Sequence, residues 1–129
     1  MKNTSLFILF FISFQLVVSQ ESKVIIKTET IKKHLYTLAS DAMEGRKTGT
    51  TGIEKAAQYI ESEFERIGLT KYNNLSSYRQ NFIARDIEMF NVIGVLEGKS
   101  RKDEYVVVSA HYDHLGVKEE GTGDLIYNG

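Results

Sequence analysis

The sequence of 129 residues contains no cysteine, no proline and no tryptophan. Without cysteine it can form no disulfide and offers no thiolate ligand or thiol nucleophile, so any metal ion must be held by histidine, aspartate or glutamate. Histidine is scarce, with three in the chain. The chain has no excess of positive charge: it contains 16 lysines and arginines and 17 acidic residues, for a formal net charge of −1. This balance argues against a nucleic-acid-binding protein, which normally carries a basic excess or stripe.

Residues 1–19 have the pattern of a secretory signal peptide. Lys2 supplies a positive charge, an apolar stretch runs from 6 to 18, and Ser19 is a small residue at the expected cleavage position. The apolar stretch is shorter than the about 20 residues of a membrane-spanning helix, although an uncleaved membrane anchor is the alternative. We expect an exported protein, secreted or periplasmic, without stable membrane insertion after cleavage. Residues 20–129 are assigned to one globular domain, since 42% of the chain is hydrophobic and 26% is charged.

Two amphipathic helices are predicted in the first half of that domain. Residues 29–39 repeat apolar side chains three and four positions apart, which is the period of a helix with one buried face. The following stretch, 40–52, mixes polar residues and glycines without a period and is predicted as a loop. The second helix is predicted to start at Thr51 as N-cap, with Glu54 completing a capping box. Gly68 is placed to end it.

The second half of the domain has the pattern of strands. Residues 78–84 alternate weakly between apolar and polar side chains, and 90–96 are rich in β-branched residues. A polar turn of hairpin-compatible length follows at 97–103. Residues 105–110 are nearly all apolar, which is typical of a strand buried on both faces of an α/β sheet. The predicted fold class is therefore α/β.

Candidate chemistry follows directly after the predicted buried strand, at His111-Tyr112-Asp113-His114. In open α/β sheets, ligands bind at the carboxyl ends of strands. If the backbone stays extended, His111 and Asp113 project to the same side. Because a metal-bound imidazole usually donates its second N–H to a carboxylate, we interpret His111 as a metal ligand and Asp113 as the residue that orients it. The alternative is a polar loop whose histidines bind only water and backbone.

The remaining polar candidates carry weaker hypotheses. His114 either lines the cleft beside His111 or packs in the following turn. His34 lies in the first predicted helix near its apolar stripe and is interpreted as a partly buried structural histidine. Glu44 and Arg46 could form an ion pair that stabilises the loop.

Four strings occur in order along the chain: LASDAMEGR at 38–46, GTTG at 49–52, NVIG at 91–94 and VVVSAHYDHLG at 106–116. Taken together they resemble the zinc aminopeptidases of metallopeptidase family twenty-eight. The resemblance runs from about residue 30 to residue 129. Each string is modest by itself, and the ordered set is specific.

The resemblance implies a three-layer α/β/α sandwich with a mixed sheet, of which this chain is the incomplete N-terminal part. It also implies peptide substrates and two zinc ions per complete site, with a free N-terminal amino acid as the usual product. In such enzymes the histidine matching His111 binds one zinc, and the aspartate matching Asp113 orients the metal site. The two metals share an aspartate and a water molecule that attacks the scissile carbonyl, and a glutamate acts as general base.

The family's bridging aspartate lies in an Ala-Asp-Asp-Asn-Gly-type motif, expected at the point where this sequence reaches Gly129. The general base and the other ligands have no counterpart here, and a catalytic zinc needs about three protein ligands. We therefore expect an N-terminal fragment of an exported zinc aminopeptidase that is inactive by itself and binds metal weakly at best. Two alternatives stay open: a glutaminyl-cyclase-like enzyme, and a non-catalytic binding module on the same fold.

Overall fold

The computed structural model describes residues 26–129, so the predicted signal peptide at 1–19 lies outside the described residues. The described part is a mixed α/β structure in which helices accompany three small two-stranded antiparallel sheets. The predicted α/β class is confirmed at this coarse level. Neither α-helix within 26–129 has the length and apolar character that crossing a bilayer requires.

Two α-helices, two 3-10 segments and six strands make up this part of the chain. They are α1 (Thr28–Leu38), the 3-10 segment Asp41–Arg46, α2 (Thr51–Arg66), β1 (Thr70–Lys71), the 3-10 segment Tyr72–Asn74, β2 (Arg79–Ala84), β3 (Ile87–Val92), β4 (Gly94–Val95), β5 (Gly116–Val117) and β6 (Ile126–Tyr127).

Both predicted helices are confirmed, but the predicted cap of α2 is wrong. Thr50, not Thr51, is the N-cap residue, and no side chain caps the helix there. The Thr50 hydroxyl donates instead to the Lys47 carbonyl, 2.6 Å away. The Glu54 carboxylate, which a capping box needs, is bound by the guanidinium of Arg79 at 2.5 Å. A contact with a distant strand has therefore replaced the local one.

The end of α2 follows the sequence signal. Gly68 takes a left-handed φ of 79° immediately after the helix, a conformation that glycine adopts without steric cost. Its N–H donates to the Glu65 carbonyl, and the N–H of Leu69 donates to the Phe64 carbonyl at 2.9 Å. These two bonds form a Schellman motif, which satisfies carbonyls that the helix itself leaves unpaired.

β2 and β3 form a hairpin in which Ala84 faces Ile87. Its two turn residues, Arg85 and Asp86, both have positive φ, as a type I′ turn requires. The prediction of a strand over 78–84 is confirmed. The strand predicted over 90–96 begins earlier and ends at Val92, and the next two-residue strand, β4, pairs with β1 instead. The hairpin turn therefore lies at 85–86 and not within 97–103.

The prediction of a buried strand over 105–110 is wrong for this structure. This segment forms neither helix nor strand, and three of its side chains are almost fully exposed: Val106 at 95%, Val107 at 83% and Val108 at 93%. Within residues 26–129 no strand pairs with it. Because a buried strand needs neighbours that accept its backbone hydrogen bonds, apolar composition is not sufficient to form one.

The small core lies where α2 packs on the 3-10 segment Asp41–Arg46. Met43 from that segment is buried together with Ile53, Ala56 and Ala57 from the first turns of α2. Close packing depends on small residues, since a Cβ added at Gly52 would collide with the Met43 carbonyl. The core thus fixes the 3-10 segment Asp41–Arg46, which contacts the candidate site.

Candidate functional site

The structure brings His111 and Asp113 together. The Nδ1 atom of His111 lies 3.3 Å from a carboxylate oxygen of Asp113 and 3.2 Å from its main-chain carbonyl oxygen. The imidazole is 84% exposed. If Nδ1 carries the proton and donates to Asp113, Nε2 keeps its lone pair and is the nitrogen able to bind a metal. This is the geometry that the spacing of the two residues predicts, and the metal-binding role itself stays a prediction.

The Asp113 carboxylate has a second neighbour. The hydroxyl of Thr48 donates to its other oxygen over a long 3.4 Å. Thr48 lies in the turn before α2, so this weak bond joins the turn to residues 111–114, the site segment. Asp113 is therefore shared between the imidazole and the turn.

His111 and Asp113 line a cleft of about 220 Å³ between the β2–β3 hairpin and the site segment. Its apolar lining includes Phe82, Met89 and Phe90 from the hairpin and Ile53 from α2. Three carboxylates also line it, and no lysine or arginine does so among the residues the structure describes. The carboxylates belong to Glu54, Glu88 and Asp113. The cleft is therefore partly apolar and acidic in character.

Tyr112, between the two site residues, also lines the cleft. Its hydroxyl is buried and has no hydrogen-bond partner within the described part of the chain. Burial raises the pKa of Tyr112 to about 12, because the phenolate would lose its hydration.

Arg79 ties the hairpin to α2 beside the cleft. Its guanidinium donates to Glu61 at 2.7 Å and to Glu54 at 2.5 Å, and it stacks 4.5 Å from the ring centroid of Phe90. The hydrogen bond to Glu61, followed by that to Glu54, raises the pKa of Arg79 above its ordinary value. The guanidinium of Arg79 thus fixes the Glu54 carboxylate, which lines the cleft, and joins α2 to the hairpin.

The other two histidines are placed apart from the cleft. His114 packs edge-on against Tyr127, with ring centroids 6.4 Å apart, and is not among the residues that line the cleft. His34 is half-buried between α1 and α2, where its Nδ1 lies 2.7 Å from the Tyr59 hydroxyl. His34 thus has the structural role that its position in the helix predicts.

Arg46 is the residue that sequence reasoning missed. The predicted Glu44–Arg46 ion pair is wrong, because Glu44 pairs with Lys55 at 2.5 Å. Arg46 is buried, and its guanidinium donates to three main-chain carbonyls, those of Leu38, Tyr112 and Asn128. Two of these partners are 66 and 82 positions away in sequence. No local pattern in the sequence indicated this role, because the string DAMEGR at 41–46 has no apolar period.

The donor set does not complete a metal site. Within residues 26–129, no three histidine, aspartate or glutamate side chains are arranged to hold a metal ion. His111 fits the role of one ligand with its carboxylate partner, whereas a catalytic zinc needs about three protein ligands and an open position. The described residues therefore do not fit a catalytic zinc ion by themselves.

Comparison with known proteins agrees with the resemblance seen in the sequence. The family model for Peptidase family M28 matches residues 91–125, the segment that contains His111, Asp113 and His114. The match covers about a quarter of the chain and suggests a peptidase-related function. No curated protein and no solved structure shows a significant match.

Proposed function

We propose that this chain is the N-terminal part of an exported, zinc-dependent aminopeptidase whose complete catalytic domain is a three-layer α/β/α sandwich. The observation that carries the proposal is the pairing of His111 with Asp113 through Nδ1, within the segment that matches Peptidase family M28. This pairing leaves Nε2 of the imidazole available as one metal ligand.

The complete enzyme would hold two zinc ions, which supply Lewis-acid chemistry and lower the pKa of a bound water molecule. The described residues provide one ligand of that site, so we assign them no catalytic step. For this reason the chain is proposed to be inactive by itself. The exposure of Val106, Val107 and Val108 supports the same conclusion, since an apolar segment of this kind normally lies between other strands.

The acidic cleft supports a peptide with a free N-terminus as substrate. An α-ammonium group is attracted to the carboxylates of Glu88 and Asp113, since Glu54 is already paired with Arg79, and in a partly enclosed cleft the attraction is screened less than in water. The apolar walls at Phe82 and Phe90 would contact the substrate's side chain. Release of the N-terminal residue is the reaction that this arrangement favours.

Hydrolysis of aminoacyl-anilides with added zinc tests the proposal. We expect no turnover from the 129-residue chain and turnover from the product of the complete reading frame. In that product His111→Ala should abolish activity, whereas the control His34→Gln, which keeps a hydrogen-bonding group beside Tyr59, should retain it. Robust turnover by the 129-residue chain would contradict its proposed inactivity, and an active His111→Ala variant would contradict the ligand assignment.

The same product separates the alternatives. Conversion of an N-terminal glutamine to a cyclic residue, without peptide-bond cleavage, would favour a glutaminyl-cyclase-like enzyme. A product that binds no zinc and has neither activity would favour a binding module.

Export is proposed from the pattern at 1–19. Expression in a bacterial host should yield a secreted or periplasmic protein that begins at Gln20, as read by N-terminal sequencing. A membrane-bound product that retains residues 1–19 would contradict cleavage.

A further inference from the structure

Arg46 is the one charged side chain buried within the described part of the chain, with 8% of its surface exposed. Its backbone has a φ of 50°, in the left-handed region that is uncommon for non-glycine residues. No carboxylate among residues 26–129 forms an ion pair with it. Its guanidinium instead donates to main-chain carbonyls, which offset part of the cost of removing a charge from water.

Two hydrogen bonds join Arg46 to the site segment. Its Nε–H donates to the Tyr112 carbonyl at 2.7 Å, and its own carbonyl accepts from the N–H of His114 at 3.0 Å. These bonds lie one residue before and one residue after Asp113. The backbone of Asp113 is therefore held on both sides by the same arginine.

The other contacts of Arg46 hold the arginine itself in place. The same terminal nitrogen donates to the carbonyl of Leu38 at the end of α1 and to that of Asn128 after β6, the latter at 2.9 Å. The preceding Gly45 packs directly on the Gly116 backbone. Arg46 is thus held by residues that precede and follow the site segment in sequence. Its fixed position restricts the backbone of Asp113.

We propose that Arg46 is a positioning residue that sets the Asp113 carboxylate and, through it, the tautomer and orientation of the His111 imidazole. The inference rests on the proposed function in that His111 is there a metal ligand. A planar guanidinium donates in fixed directions to several carbonyls at once, whereas an ammonium group is a point donor that cannot reproduce the fork. Arg46→Lys therefore keeps the positive charge and removes the simultaneous hydrogen bonds to the three main-chain carbonyls.

Nitrogen-15 NMR of the 129-residue chain in alkaline buffer, without metal, reads the tautomer of His111 directly. We expect the Nδ1–H form to dominate in the wild type. In Arg46→Lys and Arg46→Met the spectrum should change to a mixture with the Nε2–H form. Hydrogen exchange at the His114 amide should become about ten- to hundredfold faster, because the main-chain carbonyl of residue 46 that accepts this N–H is no longer held in place by the guanidinium. The control Arg101→Met removes an exposed arginine and should change neither measurement.

A folded Arg46→Lys variant, judged by circular dichroism, with the wild-type tautomer and exchange rate would overturn the proposal. If both variants fail to fold, the wild type decides. Slow exchange of the Arg46 Nε–H and the His114 amide, together with a dominant Nδ1–H form, supports the proposal, and exchange as fast as at the exposed Val107 amide overturns it. Failure of the complete enzyme to bind zinc would count against the proposed function and leave these metal-free measurements unaffected.

Discussion

Replacement of Gly45 by alanine should destabilise the protein far more than the loss of one glycine normally does. Gly45 has a φ of 61°, and a Cβ at this position would lie 2.7 Å from the Gly116 carbonyl carbon and closer still to its oxygen. The left-handed conformation costs an alanine about 1–2 kcal/mol. The collision is with main chain, which cannot rotate away, and adds about 1–3 kcal/mol of overpacking. We expect Gly45→Ala to lower the free energy of unfolding by about 2–5 kcal/mol.

Gly68→Ala is the matched control. Gly68 also has a positive φ, of 79°, but an added Cβ would meet no atom within 4 Å. This variant should lose only the conformational part, about 1–2 kcal/mol. Urea unfolding followed by circular dichroism gives both values, and the difference between the variants isolates the contact with Gly116. If Gly45→Ala were no less stable than Gly68→Ala, the close packing between the 3-10 segment and β5 would be refuted.

Three further predictions concern individual side chains. In the complete enzyme, Asp113→Ala should reduce zinc affinity or activity about 10–100-fold, and an unchanged variant, measured by zinc titration, would refute its orienting role. Hydrogen bonds from Lys33 and then Arg66 lower the pKa of Glu63 to about 2. The contribution of Glu63 to stability is therefore present above its unfolded pKa and is lost as the pH falls towards 2. Glu63→Gln should flatten the pH dependence of the unfolding free energy in this range, and an unchanged pH dependence would contradict the pairing. Burial raises the pKa of Tyr112 to about 12, so Tyr112→Phe should remove the highest-pH step from a phenolate absorbance titration, and persistence of that step would contradict the burial of its hydroxyl.

The helices could be predicted from sequence because their signals are local. The apolar period of 29–39 and the glycine that ends α2 act within a few residues. The structure contains the helix α1, although none of its residues is buried, and Gly68 follows the end of α2. The strands were harder, because pairing depends on a partner elsewhere in the chain. Residues 105–110 have the composition of a buried strand, but no strand pairs with them within the described residues. The 85–86 turn was missed because Arg85 and Asp86 are not the Asn-Gly or Asp-Gly pair that favours such turns.

In the candidate site, too, the local contacts could be predicted from the sequence and the long-range contacts could not. His111 and Asp113 are two positions apart, so their contact is local in the sequence and could be predicted, although the segment forms no strand. Arg46 contacts Tyr112 across 66 positions, and no rule of spacing connects them. The ion pair predicted between Glu44 and Arg46 is not formed, because Lys55 from α2 pairs with Glu44 instead.

The most direct test of the account is anomalous diffraction at the zinc absorption edge from crystals of the complete protein. A peak about 2.0–2.1 Å from Nε2 of His111, with Asp113 on the opposite ring nitrogen, is the predicted result. A ring turned into the interior with no metal beside it, or a zinc ion bound elsewhere, would contradict the assignment of His111 and the peptidase function that depends on it.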